Sequence, residues 1–175
     1  MKLKIRYFGD PILRQKAQTI AEITPEIIQL AQDMIEAMIH YNGVGLAGPQ
    51  VGYALRIYVF RDEWMNDQGH YELGPPEVAI NPVLSAPSKE TETMLEGCLS
   101  LPNLHVNVAR PKKIHIRYQT LKGDFVEKDL EGFIARVNMH ENDHLNGVLH
   151  IDRAPPKERK ALESALLKLK QQHPS

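Results

Sequence analysis

The chain has 175 residues, of which 42% are hydrophobic and 25% charged, with a formal net charge of −1. That length suits a single domain (residues 1–175) with a substantial core, and the near-neutral balance gives no electrostatic footprint for DNA or a membrane surface. No apolar run approaches the ~20 residues that span a bilayer. One cysteine, Cys98, excludes an internal disulfide and points to a reducing compartment, the cytoplasm. The opening MKLKIRYFGDPILRQK has no apolar core and no small-residue cleavage site, so a secretory signal is not expected.

In chain order, TPEIIQLAQDMIEAMIHYNG reads as the first helix. Thr24 is its N-cap, Pro25 its first residue, and Gly43 follows its end. Ile27, Ala31, Met34 and Met38 recur at helical spacing as a buried stripe. LRIYVFR (55–61) predicts a strand. The polar, Gly- and Pro-containing stretch 62–77 predicts a loop, and VAINPVL (78–84) a short strand kept near an edge by Pro82. KKIHIRYQTLKGDFVEKDLEG (112–132) alternates apolar and polar residues about Lys122-Gly123, a hairpin signature. A second helix is expected from about Glu131 to Asn146, closed by Gly147. Residues 155–171, with adjoining glutamines, predict a basic amphipathic C-terminal helix. Strands around a central helix make the fold class α+β.

The central helix carries chemistry. In HENDHLNGVLH (140–150), His140 and His144 stand four apart, so both imidazoles lie on one helix face and can bind one metal. Glu141 is adjacent but aimed elsewhere, which suits a carboxylate that moves the proton of an activated water. The alternative is a solvated face that carries two histidines. Phe133 and Val137 share the stripe with the two histidines, as core, as the wall of an apolar pocket, or as both.

Such a centre needs a third ligand and one open position. His150 extends the string to H-E-x-x-H-x-x-G-x-x-H, the pattern of the secreted metzincin proteases. Those also need a methionine turn after the third histidine, and no methionine follows Met139. His150 is therefore read as a surface or strand residue. Cys98, in EGCLS, lies 42 residues before His140 (140 − 98). A lone cysteine is commonly inert filler, but here Gly97 permits close backbone approach. One thiolate with two imidazoles is an established ligand set with an open fourth position. GVGLAGPQ (43–50) lacks the Lys-Ser/Thr of a phosphate loop. A helix end and turn would explain Gly43 but not Gln50, whose amide is a candidate donor to a polarised oxygen.

Taken together, GVGLAGPQ, EGCLS and HENDHLNG resemble the three motifs of the peptide deformylases, in order, and DPILRQKA, VARPKKI and LEGFIARV extend the resemblance over nearly the whole chain. It implies that family's fold, small and mainly antiparallel sheets around the motif helix. It implies one divalent metal held by Cys98, His140 and His144, with Glu141 as general acid and base. It implies oxyanion donors in the Gln50 amide and the Leu99 N–H. The backbone at Val44 and Gly45 would pair with an extended substrate, and Val44, Phe133 and Val137 would wall the methionine pocket. The substrate implied is an N-formylmethionyl nascent peptide. Fe²⁺ is the implied metal in the cell, although Zn²⁺ or Ni²⁺ would bind such a site more tightly.

Gly48 stands where that family usually has Ala, and Met139 where it usually has Gln. The first is expected to cost backbone order and the second to alter support beside His140. Asp143 fits the family pattern, as a helix-anchoring residue or an exposed carboxylate. A competing reading is a non-catalytic, ribosome-associated protein docking through Lys157, Arg159, Lys160, Lys168 and Lys170. Glu141 and Gln50 argue against it, since neither is needed merely to hold a metal. His40, His70, His105 and His115 are given no chemical role.

Overall fold

The computed structural model describes residues 2–174. Helix α1 (Pro25–His40) begins as its sequence requires, with Thr24 Oγ1 accepting from the Ile27 N–H at 3.3 Å and Pro25 in the first turn. It ends in a Schellman motif: Asn42, at φ 57°, takes the left-handed position, and the Gly43 N–H reaches back to the Met38 carbonyl at 2.8 Å.

Nine strands follow among the described residues. β1 (Gly45–Ala47), β2 (Ile57–Phe60), β5 (Glu77–Ser85), β8 (Lys113–Gln119) and β9 (Phe125–Glu131) form one antiparallel sheet in the order β1-β2-β5-β8-β9. β3 (Glu63–Met65) with β4 (Tyr71–Leu73), and β6 (Thr91–Cys98) with β7 (Leu101–Pro111), form two separate hairpins. Helix α2 (Phe133–Leu145) follows β9. The chain ends in α3 (Pro156–Ala161) and α4 (Glu163–Gln172).

Alternation along β2 organises the interior. Ile57 and Val59 pack with Met34 and Met38 of α1, whereas Tyr58 and Phe60 pack with Ala135 and Val137 of α2. All four strand residues are fully buried, as a central strand covered by a helix on each face demands. Tyr58 donates to Asn138 Oδ1 at 2.7 Å, so its buried hydroxyl on the α2 side is satisfied. A third cluster, with Val106 and Val108 of β7, Leu149, Ile151, and Leu166 and Leu169 of α4, seats the long hairpin on the C-terminal helix.

Five expectations change. Pro82 does not keep its strand near an edge: β5 is the middle strand of five, and Pro82 is accommodated because the β2 pairing ends at Ile80 and the β8 register shifts between Ile80 and Val83. The stretch 62–77 contains the β3–β4 hairpin, whose side chains are largely exposed and give no burial pattern. The α2 helix starts at Phe133, because Gly132 takes φ 77° and turns the chain out of β9. The C-terminal helix is two helices, broken at Leu162. The β6–β7 hairpin was not expected at all.

Candidate metal centre

Two elements supply the centre. α2 projects His140 and His144 from one face, with ring centroids 5.1 Å apart. Its end is fixed by a second Schellman motif, in which Gly147 (φ 72°) and Val148 return their N–H groups to the His144 and Asp143 carbonyls. β6 delivers Cys98 at its last residue. The pairing register shifts between Glu96 and Cys98, a bulge at Gly97, and Leu99-Ser100 then turn the chain into β7. A Cβ at Gly97 would stand 2.8 Å from Nε2 of the exposed His105 ring, which glycine leaves room for beside the bulge.

The ligand atoms of Cys98, His140 and His144 lie within 4.8 Å of one another. Cys98 Sγ is 3.3 Å from His144 Nε2. His140 Nδ1 is held by Glu96 Oε1 at 2.9 Å, which makes it the protonated nitrogen and leaves Nε2 free toward the thiol. One soft sulfur and two imidazole nitrogens, with the second nitrogen of His140 anchored, fit a tetrahedral divalent metal with an open position. His150 is not in this set. It is neither a surface nor a strand residue: it is buried in a 3-10 turn, with Nε2 3.0 Å from the Leu104 carbonyl. Burial pushes its pKa down to about 4, so it stays a neutral imidazole that pins the turn to β7.

Glu141 is 3% exposed, and its Oε2 has no hydrogen-bond partner among the described residues. Burial pushes its pKa up to about 7, against the pull of His140 and Arg110. Oε1 lies 3.9 Å from His140 Nε2. A Cβ at Gly45 would stand 2.7 Å from the same oxygen, so glycine on β1 makes room for this carboxylate. Gln50 is equally buried. Its Oε1 accepts from the Ala47 N–H at 2.9 Å, which orients the amide so that Nε2 faces Ser100 Oγ at 3.1 Å and Cys98 Sγ at 3.5 Å. Val44, Gly45, Leu99, Phe133 and Val137 line the cleft of ≈ 480 Å³ onto which these groups open. β1 is the sheet's first strand, so one of its edges has no strand partner within the sheet and borders this cleft.

Behind the ligands lies a buried ionic network that the sequence reading missed. Arg110 donates to both oxygens of Glu96, at 2.6 and 3.0 Å, and to Asp143 at 2.9 Å. Arg136 joins Glu96 to the Val108 and Glu92 carbonyls. Arg153 grips Asp143 with two bonds, at 2.6 and 2.8 Å. Burial works to raise the Glu96 carboxyl, yet hydrogen bonds from His140 and Arg110 overcome it and hold the group well below the usual carboxylate range. Asp143 is therefore a buried anchor, not an exposed carboxylate. The available signal was a charge inside an otherwise apolar run, as with Arg136 in GFIARV.

The two departures also find a place. A Cβ at Gly48 would meet the Tyr53 and Leu55 carbonyls at 2.8 and 2.9 Å, so glycine here permits a close backbone crossing. Met139 turns away from the ligands and packs in the cluster shared with the sheet.

Residues 2–160 match the family model of polypeptide deformylase. The peptide deformylase of Thermotoga neapolitana is 46% identical over 164 residues, 94% of each chain. The Thermotoga maritima enzyme in its crystal structure superposes with a TM-score of 0.80 at 43% identity, covering 89% of this chain and 99% of that one. A structure of the Acinetobacter baumannii peptide deformylase bound to Met-Ala-Ser does so with a TM-score of 0.80 at 33% identity, covering 87% and 98%. With the family model spanning most of its length and relatives this similar, the chain belongs to the peptide deformylases and is a hydrolase.

Proposed function

We propose that this chain acts as one catalytic domain that removes the N-formyl group from the N-terminal formylmethionine of newly made proteins, releasing formate. The observation that carries the reading is the Cys98–His140–His144 set at the cleft with the buried Glu141 and Gln50 beside it. A divalent cation held by those three side chains, Fe²⁺ in the cell with Zn²⁺ or Ni²⁺ as substitutes, would act as a Lewis acid toward the formyl oxygen and acidify water.

The rest falls to the chain. The substrate backbone adds to the open edge of β1 at Val44 and Gly45, and its methionine side chain enters the apolar pocket of Val44, Phe133 and Val137. A flexible thioether suits such a wall. Glu141, raised to about 7 by burial, takes the proton of the attacking water and returns it to the leaving nitrogen. Gln50 Nε2 and the Leu99 N–H donate to the oxyanion, each contributing about 3 kcal/mol. The Met-Ala-Ser held by the Acinetobacter relative has the form of the product this reading requires. The reading places the protein in the cytoplasm, with ribosome contact through the exposed Lys157, Lys160 and Lys168.

Formate release from formyl-Met-Ala-Ser, with protein prepared anaerobically with Fe²⁺, tests it against Glu141→Ala. Turnover by the parent is expected, with a loss of ~10²–10⁴-fold in the variant at unchanged metal content. A metal-loaded parent that yields no formate overturns it.

A further inference from the structure

The cleft does not end at the reacting groups. From Gly45, which touches Glu141, the chain leads back through Gly43 to Asn42 and Tyr41, and these residues with Ile5 and Tyr7 wall the cleft away from the metal ligands. Ile5 and Tyr7 also wall a second groove, of ≈ 920 Å³, on their other side. The two concavities therefore share a rim. The second groove follows the extended N-terminal segment, where Leu3 and Ile5 point into the core and Lys2, Lys4 and Arg6 alternate outward. Its far wall is the end of α4, held by His173 stacked on Tyr7 with ring centroids 3.8 Å apart. Among the described residues Asp10 is the groove's one carboxylate, and Arg6 occupies it at 3.3 Å. Lys2 and Lys4 enter no ion pair among the described residues. In a chain of net charge −1, three cations among the described side chains thus line one groove with a single anionic one.

We infer that this groove is a distal substrate subsite that engages carboxylate side chains beyond the third residue of the peptide. The inference rests on the deformylase reading. An extended peptide advances about 3.4 Å per residue, so a chain whose first residues fill the cleft reaches the shared rim at Tyr7 after a few residues. Charge complementarity then selects acidic residues, and does so through binding and encounter rather than through the chemical step. Continuity with the reaction cleft favours a peptide over a nucleic acid as the occupant.

The test uses metal-loaded, full-length protein and four peptides: formyl-Met-Ala-Ser alone, and the same tripeptide extended by three Asp, three Ser or three Lys residues and amidated. At low salt the Asp tail should give kcat/KM about three- to tenfold above the Ser tail, the sum of two or three exposed pairs, with the change in KM. The Lys tail should fall below it. The Asp advantage should vanish at about 0.5 M salt, where screening shortens the range to a few ångströms, and in a Lys2→Gln/Lys4→Gln variant. Calorimetric binding of the unformylated Asp- and Ser-tailed peptides reads the same preference without turnover. If formyl-Met-Ala-Ser is not deformylated but the Asp-tailed product still binds preferentially, the deformylase reading fails and the subsite stands. Equal values for all tails, or an Asp preference that survives in the variant, overturns the subsite. Equal tails together with RNA-oligonucleotide binding that the variant loses would assign the groove to RNA instead.

Discussion

Helix α2 and the β6–β7 hairpin face one another across the centre and assemble their halves of it by different means. On α2 helical pitch puts the two imidazoles four residues apart on one face, and only the ring of His140 is further held, by Glu96. On the hairpin, Cys98 depends on strand register, on a bulge at Gly97, and on Arg110 and Arg136 gripping Glu96 behind it. Glu96 on β6 ties the halves together, through Arg110 on β7 and through Arg136 and His140 on α2, and Arg110 adds a second link to Asp143 on α2. A local device tolerates change nearby. A device built from buried charges does not, because removing one partner leaves the others desolvated and unpaired.

The largest expected effect follows from that asymmetry. Glu96→Gln leaves the Arg110 and Arg136 guanidinium groups buried against a neutral amide. It should cost about 3 kcal/mol or more in stability and lower metal content, measured by denaturant unfolding and elemental analysis. A variant as stable as the parent would mean that the hairpin is held by its apolar contacts alone.

Next is Gly45→Ala, on the strand that neither half includes. Its methyl group would fall 2.7 Å from Glu141 Oε1. The carboxylate must shift, and a displacement of about 1 Å in a positioned group costs on the order of a hundredfold in rate. Formate release should fall by about that factor while metal content and unfolding midpoint hold. An unchanged rate would remove Gly45 as the seat of the general base.

The same asymmetry explains what was legible in the sequence. His140, Glu141 and His144 announce themselves because helical spacing is a local property. The first helix was equally plain, since Thr24, Pro25 and the Met34–Met38 stripe are all local signals. Cys98 is a candidate from its thiol and from Gly97 beside it, but only the motif resemblance assigned it as the third ligand, since nothing in its neighbourhood encodes a partner 42 residues away. The β6–β7 hairpin escaped notice because its buried face includes Glu96 and Arg110, which break the apolar alternation that marks a strand. His150 misled for a related reason: burial follows the packing of the 3-10 turn against β7, which no spacing reports.

Met139 sharpens the contrast from the helix side. It lies beside His140 in sequence but packs toward the sheet. Met139→Gln should therefore cost about 1–3 kcal/mol through a buried amide without a partner, and leave metal content and the Glu141-dependent rate as they were. A change of metal content without a loss of stability would return Met139 to the ligand side of the helix.

The smallest effect lies far from the centre, where β8 and β9 hold an exposed charge cluster with none of the burial that makes Glu96 critical. His115 Nδ1 is 2.7 Å from Asp129 Oδ1, and Nε2 is 2.7 Å from Glu127 Oε1. These hydrogen bonds, Asp129 first, raise its pKa above the usual 6.5. A raised folded-state pKa stabilises below the unfolded value and loses that contribution as pH rises through the folded one. Asp129→Asn should therefore lower the His115 pKa, read from the pH dependence of its ring-proton NMR shifts. It should destabilise the fold slightly below pH ~6.5, with the difference from the parent fading at higher pH. A stability difference that instead persists at alkaline pH would show Asp129 acting through the β8–β9 pairing rather than through the imidazolium.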